Sequence, residues 1–291
     1  MGEERETIFL EDAEVLAHEA YAGEQHILRV QAPRCAARAR PGAFAHLTCD
    51  PALPMRRPFS IMRAAPEAGW VEYLYKVVGA GTRLLAQRRP GDRISHLGPI
   101  GHPFALDPQR PRALLVGGGV GIPPMVFLAE TMRRQRGGWD PLVLMGSEVP
   151  FPFKPRPSKF VVAGMPPGAI AAMPLMEDWG IPSRLASAQG FPGCHEGPVT
   201  EPAQAWLAAL DPAERREVTV YGCGPHPMLE RLAAIAREHG VACQVALEEL
   251  MACAVGGCAG CAVETRGPDG RAVMRRVCVD GPVFDAREVF F

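Results

Sequence analysis

The sequence predicts an α/β plus β protein made of a small antiparallel barrel, a nucleotide-binding domain on a parallel sheet, and a small C-terminal module. Residues 7–105 contain short apolar strands between turn residues, which is typical of a small barrel. After Pro111, apolar strands alternate with helical patterns, as in parallel sheets. From about residue 248, Cys, Gly and Ala dominate, and so short a part needs a metal or cluster to fold. We expect the chain to divide into 1–108, 109–247 and 248–291.

The composition and charge exclude several classes of protein. Hydrophobic residues make up 47% of the chain and charged residues 22%, which is the balance of a folded globular protein and not of a disordered one. The net charge of -1, without a block of Lys and Arg, argues against a nucleic-acid partner. The acidic start, residues 1–6, lacks the apolar core of a signal peptide, and Glu6 breaks the myristoylation pattern. No run of about 18 apolar residues exists, so we expect no membrane span and a cytoplasmic protein.

Many short strands and one helix are predicted for the barrel. Examples of the strands lie at residues 27–31, 43–47, 58–62 and 70–78, and the helix lies at about 82–88. The last two strands alternate between apolar and polar residues, which indicates that each has one buried face.

The nucleotide-binding domain is expected to contain four buried strands and four helices. The strands are short apolar runs at 113–116, 142–145, 160–163 and 218–221. The helical patterns cover about 123–136, 168–179, 201–210 and 226–239. The Pro-rich segment 148–158 is predicted to be a rigid loop.

Four of the nine cysteines are spaced as ligands of a [2Fe–2S] cluster. They follow the plant-type pattern C-x4-C-x2-C with a distant fourth residue, and are Cys253, Cys258, Cys261 and Cys278. The small residues between them let the backbone curl round a cluster. A structural zinc site is the alternative, although zinc sites usually use two C-x2-C pairs, and a [4Fe–4S] cluster would prefer C-x2-C-x2-C. After Glu264, a short hairpin with its turn at 268–270 is expected. The other thiols expected to be ordinary core or surface residues are Cys35, Cys49, Cys194 and Cys243.

Two stretches of the barrel indicate a flavin. Arg57, in the run Arg-Pro-Phe-Ser at 57–60, can pair with a pyrophosphate, and Ser60 can hydrogen-bond the polar edge of a flavin ring. The turn at 78–82 contains Gly81 and Thr82 and leads into a helix, whose N-terminus attracts phosphate. A lone Arg-Pro-x-Ser is more often a plain edge strand. The two stretches together, upstream of a nucleotide-binding domain, are much more specific and predict FAD.

Two Gly-rich turns predict the nicotinamide site. The first follows an apolar strand and opens a helix at Pro123, so its glycines let the backbone approach a pyrophosphate; they are Gly117, Gly118, Gly119 and Gly121. The second ends a later strand at the same carboxyl edge and comprises Gly222, Cys223, Gly224 and Pro225. We expect Cys223 to face the nicotinamide ring against the flavin, with a buried thiol as the alternative. His226 is expected to be a surface residue at a helix start and not a general base.

Glu148, beyond the end of the second strand, predicts a preference for NADH. A carboxylate there can accept a hydrogen bond from a ribose hydroxyl and would repel a 2′-phosphate. Lys154, Arg156 and Lys159 follow in the Pro-rich loop, and a loop folded back on the site would reverse this preference.

These motifs, in this order, resemble those of the ferredoxin-reductase superfamily. The runs 246–253 and 277–284, around the first and last cluster cysteines, are similar to the electron-transfer subunits of class 1B dihydroorotate dehydrogenases. The resemblance covers roughly residues 8–288. It implies FAD, a [2Fe–2S] cluster, NAD(H), and an FMN-containing catalytic subunit as partner in a heterotetramer of the pyrimidine pathway. It also implies that the four spaced cysteines are the cluster ligands and that FAD contacts Arg57, Pro58, Phe59, Ser60, Leu74, Tyr75, Lys76, Gly81 and Thr82.

Two alternative functions remain open from the sequence. The same core could serve another acceptor, as in sulfide dehydrogenases, transhydrogenases and hydrogenases, because a likeness of fold does not select the acceptor. A non-enzymatic redox sensor or a zinc-stabilised module belongs to a different class. Segments 148–158 and 189–196 depart from the family pattern.

Overall fold

The computed structural model describes residues 7–135, 138–267 and 269–291. The acidic start at 1–6, the last residue of the helix predicted to end at 136, and Pro268 of the predicted turn lie outside the described residues.

Six antiparallel strands close into a barrel in the order β1-β2-β5-β4-β3-β6. The strands are β1 Phe9–Tyr21, β2 Gln25–Gln31, β3 Phe44–Leu47, β4 Arg57–Ala65, β5 Trp70–Lys76 and β6 Arg93–Ile100. Two short helices accompany them, α1 Pro33–Arg38 and α2 Ala80–Leu85. The four strands and the helix predicted here therefore exist, while β1, β6 and α1 had no prediction.

The alternation predicted for residues 70–78 is wrong, because β5 is buried on both faces. All five residues from Val71 to Tyr75 are buried. Tyr73 and Tyr75 pack in the barrel interior, whereas Leu74 packs with Met62 in a cluster shared with the nucleotide-binding domain. The second domain thus covers the face that a lone barrel would expose to water.

The larger sheet has six strands in the order β11-β8-β7-β12-β13-β16, of which the first five are parallel and β16 is antiparallel. These strands are β7 Arg112–Gly118, β8 Asp140–Gly146, β11 Ser183–Ala186, β12 Val218–Cys223, β13 Ala242–Ala246 and β16 Val283–Asp285. Two small antiparallel pairs are β9 Arg156–Pro157 with β10 Ala171–Ala172, and β14 Ala262–Arg266 with β15 Ala272–Arg276. The latter pair is the predicted C-terminal hairpin.

The helices of this half are α3 Ile122–Arg134, α4 Pro174–Trp179, α5 Thr200–Ala209, α6 Pro212–Arg216, α7 His226–His239 and α8 Ala286–Val289. A single 3₁₀ turn at Gly119–Gly121 precedes α3. The α/β plus β architecture is confirmed. No helix among the described residues is long and apolar enough to span a membrane.

Two predictions between β8 and α5 are wrong. The strand expected at 160–163 does not form, and Val161 is fully exposed. The next parallel strand is instead β11, which starts only at Ser183. The helix expected at 168–179 exists only as α4, because residues 171–172 pair with β9 and a proline opens the helix at Pro174.

The cores of the second and third predicted parts are continuous. One cluster joins Val220 and Val245 of the large sheet with Cys261, Cys278 and Phe284 of the C-terminal region. Since β16 also pairs with β13, the last residues belong to the large sheet as much as to the C-terminal module.

Candidate functional site

A cavity of about 630 Å³ lies between the barrel and the carboxyl edge of the large sheet. All nine residues predicted to contact FAD line it: Arg57, Pro58, Phe59, Ser60, Leu74, Tyr75, Lys76, Gly81 and Thr82. Cys223 at the end of β12 and Val120 of the first Gly-rich turn line its opposite side. Residues predicted from separate motifs therefore meet in one cavity that has room for a flavin ring.

Arg57 lies against the start of α2. A Cβ atom added to Gly81 would lie only 3.2 Å from the Nε atom of Arg57. Its Nη1 donates to the carbonyl oxygens of Met55 at 2.8 Å and Arg56 at 3.1 Å. Within the described residues no carboxylate lies within ion-pair distance of Arg57, so its charge is available to an anion such as a pyrophosphate.

The turn before α2 holds itself together through Thr82. The Thr82 hydroxyl accepts hydrogen bonds from the N–H groups of Val78 at 2.9 Å and Gly79 at 3.1 Å. The N–H groups of Val78 and Gly79 are therefore not free to bind a phosphate. A phosphate would have to use amides further into the first turn of the helix.

Tyr75 forms an aromatic wall of the cavity and is fixed from three sides. Its ring stacks on His26, with centroids 5.2 Å apart, and meets the edge of Phe59 at 5.5 Å. Its hydroxyl is 2.9 Å from Nε2 of His18. Burial raises the pKa of Tyr75, so the phenol stays neutral. The two histidines were not predicted, since neither stands in a motif.

The two Gly-rich turns touch each other through backbone atoms. A Cβ on Gly121 would lie 2.2 Å from the carbonyl oxygen of Cys223, and one on Gly118 would lie 2.6 Å from Sδ of Met228. Only glycine allows this approach at Gly121, because the opposing atoms are backbone. The 3₁₀ turn also needs Gly119 for its positive φ of 55°. The turn is thus packed onto the end of β12.

Cys223 is 1% exposed and faces the cavity from β12. Burial raises the pKa of its thiol well above the usual value, and the charge of Glu248 adds to the shift. A neutral thiol at this place suits a spacer against a ring and not a nucleophile. Gly222, Gly224 and Pro225, the rest of this turn, do not line the cavity.

A segment that the motifs did not reveal closes the cavity. Residues 246–251 run along it from the end of β13 towards the first cluster cysteine. Glu248 is exposed at the mouth of the cavity. The protein atoms around its carboxyl group nevertheless displace part of the water, and this desolvation raises its pKa. This segment has no periodicity, so only the family resemblance indicated it.

The loop 253–261 curls tightly, as predicted for a cluster-binding loop. Ala254 and Ala259 have positive φ values of 57° and 53°, which non-glycine residues rarely adopt. Arg276 holds the curl by donating from Nη1 to the Gly256 carbonyl oxygen at 2.8 Å. Backbone strain of this kind typically occurs at functional sites.

The four thiols form two pairs. Cys253 hydrogen-bonds Cys258, and backbone N–H groups, chiefly that of Val255, lower the pKa of Cys253 to about 7. Burial and the bond with Cys261 raise the pKa of Cys278 to about 11. The part of the chain described here has no group of three or more His, Cys, Asp or Glu arranged for a single ion. Two such pairs match a cluster that has two thiolates on each iron.

Backbone amides also point at two of the cysteine sulfurs. The N–H of Gly260 lies 3.4 Å from Sγ of Cys258, and that of Cys278 lies 3.5 Å from Sγ of Cys261. Cys258 is exposed, whereas Cys261 and Cys278 are buried. Of the thiols expected to be ordinary core or surface residues, Cys35, Cys49 and Cys243 are buried and Cys194 is half-buried.

Glu148 is exposed beyond the carboxyl end of β8, where a ribose would bind. Of the three cations in the Pro-rich loop after it, Lys154 and Lys159 have exposed side chains, and only Arg156 is engaged by a carboxylate among the described residues. Arg156 is committed to the Asp178 carboxylate and to the carbonyl oxygen of Pro174. The loop also contacts the barrel, since Gln25 Nε2 donates to the Pro150 carbonyl oxygen at 2.6 Å. His226 is exposed at the start of α7, as predicted, and its ring meets Phe290.

Known proteins resemble the whole chain and its C-terminal part. Residues 248–290 match the model of the iron-sulfur cluster binding domain of dihydroorotate dehydrogenase B. Dihydroorotate dehydrogenase B (NAD(+)) electron transfer subunits resemble the whole chain. That of Caldanaerobacter subterraneus is 35% identical, with 86% of this chain and 87% of the relative covered. The subunit of Desulforamulus reducens is 31% identical, and the match covers 96% of this chain and 97% of the relative.

Solved structures share the fold. An NADH-dependent reduced ferredoxin-NADP oxidoreductase matches with a TM-score of 0.76 and 26% identity, covering 96% of this chain and 90% of that one. Phthalate dioxygenase reductase matches with a TM-score of 0.55 and 16% identity, covering 92% of this chain and 76% of that one. At this low identity the match supports the fold alone. Given the identity and coverage of its relatives, this chain belongs to the family of electron transfer subunits of dihydroorotate dehydrogenase B.

Proposed function

We propose that this protein moves electrons between NAD(H), FAD and a [2Fe–2S] cluster, and exchanges them with an FMN-containing catalytic subunit of dihydroorotate dehydrogenase. It would do so in the cytoplasm, in pyrimidine biosynthesis. One observation carries the proposal. A single cavity is lined by the nine residues predicted to contact FAD, by Cys223, which is predicted to face the nicotinamide, and by residues 246–251, which lead directly to Cys253.

The protein's own residues would bind and orient the cofactors. Bound flavin and cluster would supply the redox chemistry, since a flavin exchanges hydride equivalents with nicotinamide and single electrons with iron. Arg57 would pair with the FAD pyrophosphate, Tyr75 would pack against the isoalloxazine, and Ser60 would hydrogen-bond its polar edge. Cys223 would hold the nicotinamide at the opposite side of the cavity.

The four cysteines would hold the cluster with two thiolates on each iron. Cys261 and Cys278 lie on the buried side of the loop and Cys258 on the exposed side. Electrons would therefore leave the subunit near Cys258, where a partner can approach.

The nicotinamide residues and the three-part division belong to the same proposal. Gly117, Gly118, Gly119 and Gly121, with Gly222, Gly224 and Pro225, would form the pyrophosphate and nicotinamide edge, and Glu148 would bind the ribose. The parts 1–108, 109–247 and 248–291 would bind FAD, NAD(H) and the cluster respectively.

A second candidate is the same electron-transfer core serving a different acceptor. The match to a ferredoxin-NADP oxidoreductase over 96% of this chain favours it. The first candidate is preferred because the curated relatives with 31–35% identity are dihydroorotate dehydrogenase subunits.

The test is to purify the protein anaerobically from its own cells with its partner attached. We expect flavin and [2Fe–2S] absorption bands in this subunit, iron and acid-labile sulfide at two per chain, and an FMN-containing dihydroorotate dehydrogenase as partner. A different redox partner would select the second candidate. Zinc without flavin or iron would refute both.

A further inference from the structure

The barrel and the nucleotide-binding domain meet where β4 crosses α3. Phe127 of α3 is buried within the barrel core, and Met62 of β4 is buried within the core on the α3 side of the sheet. Each element therefore inserts a side chain into the other domain. This seam is therefore one of the contacts that set how the two domains are oriented.

A forked ion pair crosses the seam beside these two side chains. Arg63 donates from Nη2 to Oε1 of Glu130 at 2.8 Å and from Nε to Oε2 at 3.3 Å. The Glu130 side chain is only 3% exposed. Arg134, one turn later on α3, also donates to Oε1 at 2.8 Å. A two-point contact of this kind fixes direction as well as distance.

Aromatic rings from both domains hold the Arg63 guanidinium in place. It lies 5.7 Å from the ring centroid of Trp70 in the barrel and 5.3 Å from that of Trp179 on α4. Arg133 of α3 also lies near the Trp179 ring, 5.8 Å from its centroid. Cations and rings thus alternate from one domain to the other.

Both partners of the ion pair stand on elements that carry the cofactor residues. Arg63 lies three residues after Ser60 on β4, and Glu130 lies on the helix that begins directly after Gly121. We propose that Arg63 and Glu130 are positioning residues that set the approach of the nicotinamide to the flavin. This inference rests on the proposed function, since it assumes that both cofactors bind where described.

Hydride transfer depends steeply on the separation of donor and acceptor. A misplacement of about 1 Å caused far from the reacting atoms can lower a rate about 100-fold. A strand and a helix are stiff, so a shift or rotation at the seam reaches both cofactor sites. Neither site needs to lose a contact of its own for this to happen.

The main variant is Arg63→Met in the holoprotein, which keeps the length of the side chain and removes the fork. In this variant Glu130 still accepts the hydrogen bond from Arg134, so its buried carboxylate keeps a cationic partner. We expect the limiting rate of flavin reduction at saturating NADH to fall by about tenfold or more, by rapid mixing. FAD content and the dissociation constant of NADH should change less than about twofold. Arg63→Lys, which can reach one carboxylate oxygen, should give an intermediate rate and serves if the first variant does not fold.

The matched control is Arg29→Met. Arg29 forms a similar pair with Glu72, at 3.0 Å and 2.6 Å, and lies 4.3 Å from the Trp70 ring, but both partners are in the barrel. The limiting rate of flavin reduction in Arg29→Met should equal that of the wild type, even if the melting temperature of the variant falls.

An unchanged limiting rate in both Arg63 variants would overturn the inference, as would an equal loss in Arg29→Met. These outcomes leave the proposed function standing, because the wild type would still be reduced by NADH. A wild-type protein that NADH does not reduce would instead overturn the proposed function and this inference with it.

Discussion

Replacing Gly121 by alanine tests whether the two Gly-rich turns must touch. The added Cβ would lie 2.2 Å from the oxygen of Cys223, 2.4 Å from its carbonyl carbon and 2.6 Å from the nitrogen of Gly224. Ordinary contacts begin near 3.4 Å, and all three atoms are backbone, so no side chain can rotate away. The turn must therefore retreat from β12 by about 1 Å. Overpacking of this kind costs about 1–3 kcal/mol of folding free energy.

The displaced turn is the one proposed to bind the nicotinamide nucleotide, so the kinetic effect should exceed the effect on stability. We expect the rate of flavin reduction by NADH to fall about 100-fold, while FAD content stays at the wild-type level. The assay is anaerobic rapid mixing with NADH, combined with thermal unfolding. Gly240→Ala is the control: Gly240 ends α7 with a φ of 67°, and a Cβ there has no atom within 4 Å. It should lose about 1 kcal/mol from backbone strain and keep normal kinetics. Wild-type kinetics in Gly121→Ala would refute the reasoning.

Three further predictions concern FAD, the nucleotide and pH. Arg57→Ala should weaken FAD binding by about 1.5–3 kcal/mol, through loss of a charge-assisted pair, and full flavin content after extensive dialysis would contradict this. Because Glu148 would repel a 2′-phosphate, the ratio of kcat/KM should favour NADH, and a higher value for NADPH would show that another residue reads the ribose. Burial lowers the pKa values of His46 and His96 to about 4, so both stay neutral in the fold. Stability should be full above about pH 6.5 and fall by roughly 3 kcal/mol per histidine as the pH drops to about 4, measured by urea unfolding, and a flat profile would be incompatible with this.

Local signals predicted the elements that carry the cofactor motifs. The helix predicted at 226–239 forms over those residues, because its apolar face follows the helical period and Gly240 ends it in the left-handed conformation. The cysteine spacing and the Arg-Pro-Phe-Ser run are equally local, and the structure places both where a cofactor could bind. Such motifs can be read from the sequence because their meaning depends on neighbouring residues.

What could not be predicted depends on contacts between distant residues. The two buried faces of β5 follow from the docking of the second domain, and the exposed Val161 follows from a loop that only resembles an apolar strand. The Arg63–Glu130 pair joins residues 67 positions apart. No local pattern marks either partner, since a single Arg on a strand and a Glu on a helix usually face water.

The central claim is that electrons pass from NADH through FAD and the cluster to the catalytic subunit. The most direct measurement is anaerobic rapid mixing of NADH with the complex of both subunits, comparing the wild type with Cys258→Ser, which should lack the cluster. Flavin in this subunit should be reduced at similar rates in both proteins. FMN in the catalytic subunit should be reduced in the wild-type complex and not in the variant. Normal FMN reduction by a cluster-free Cys258→Ser protein would contradict the proposed order of electron transfer.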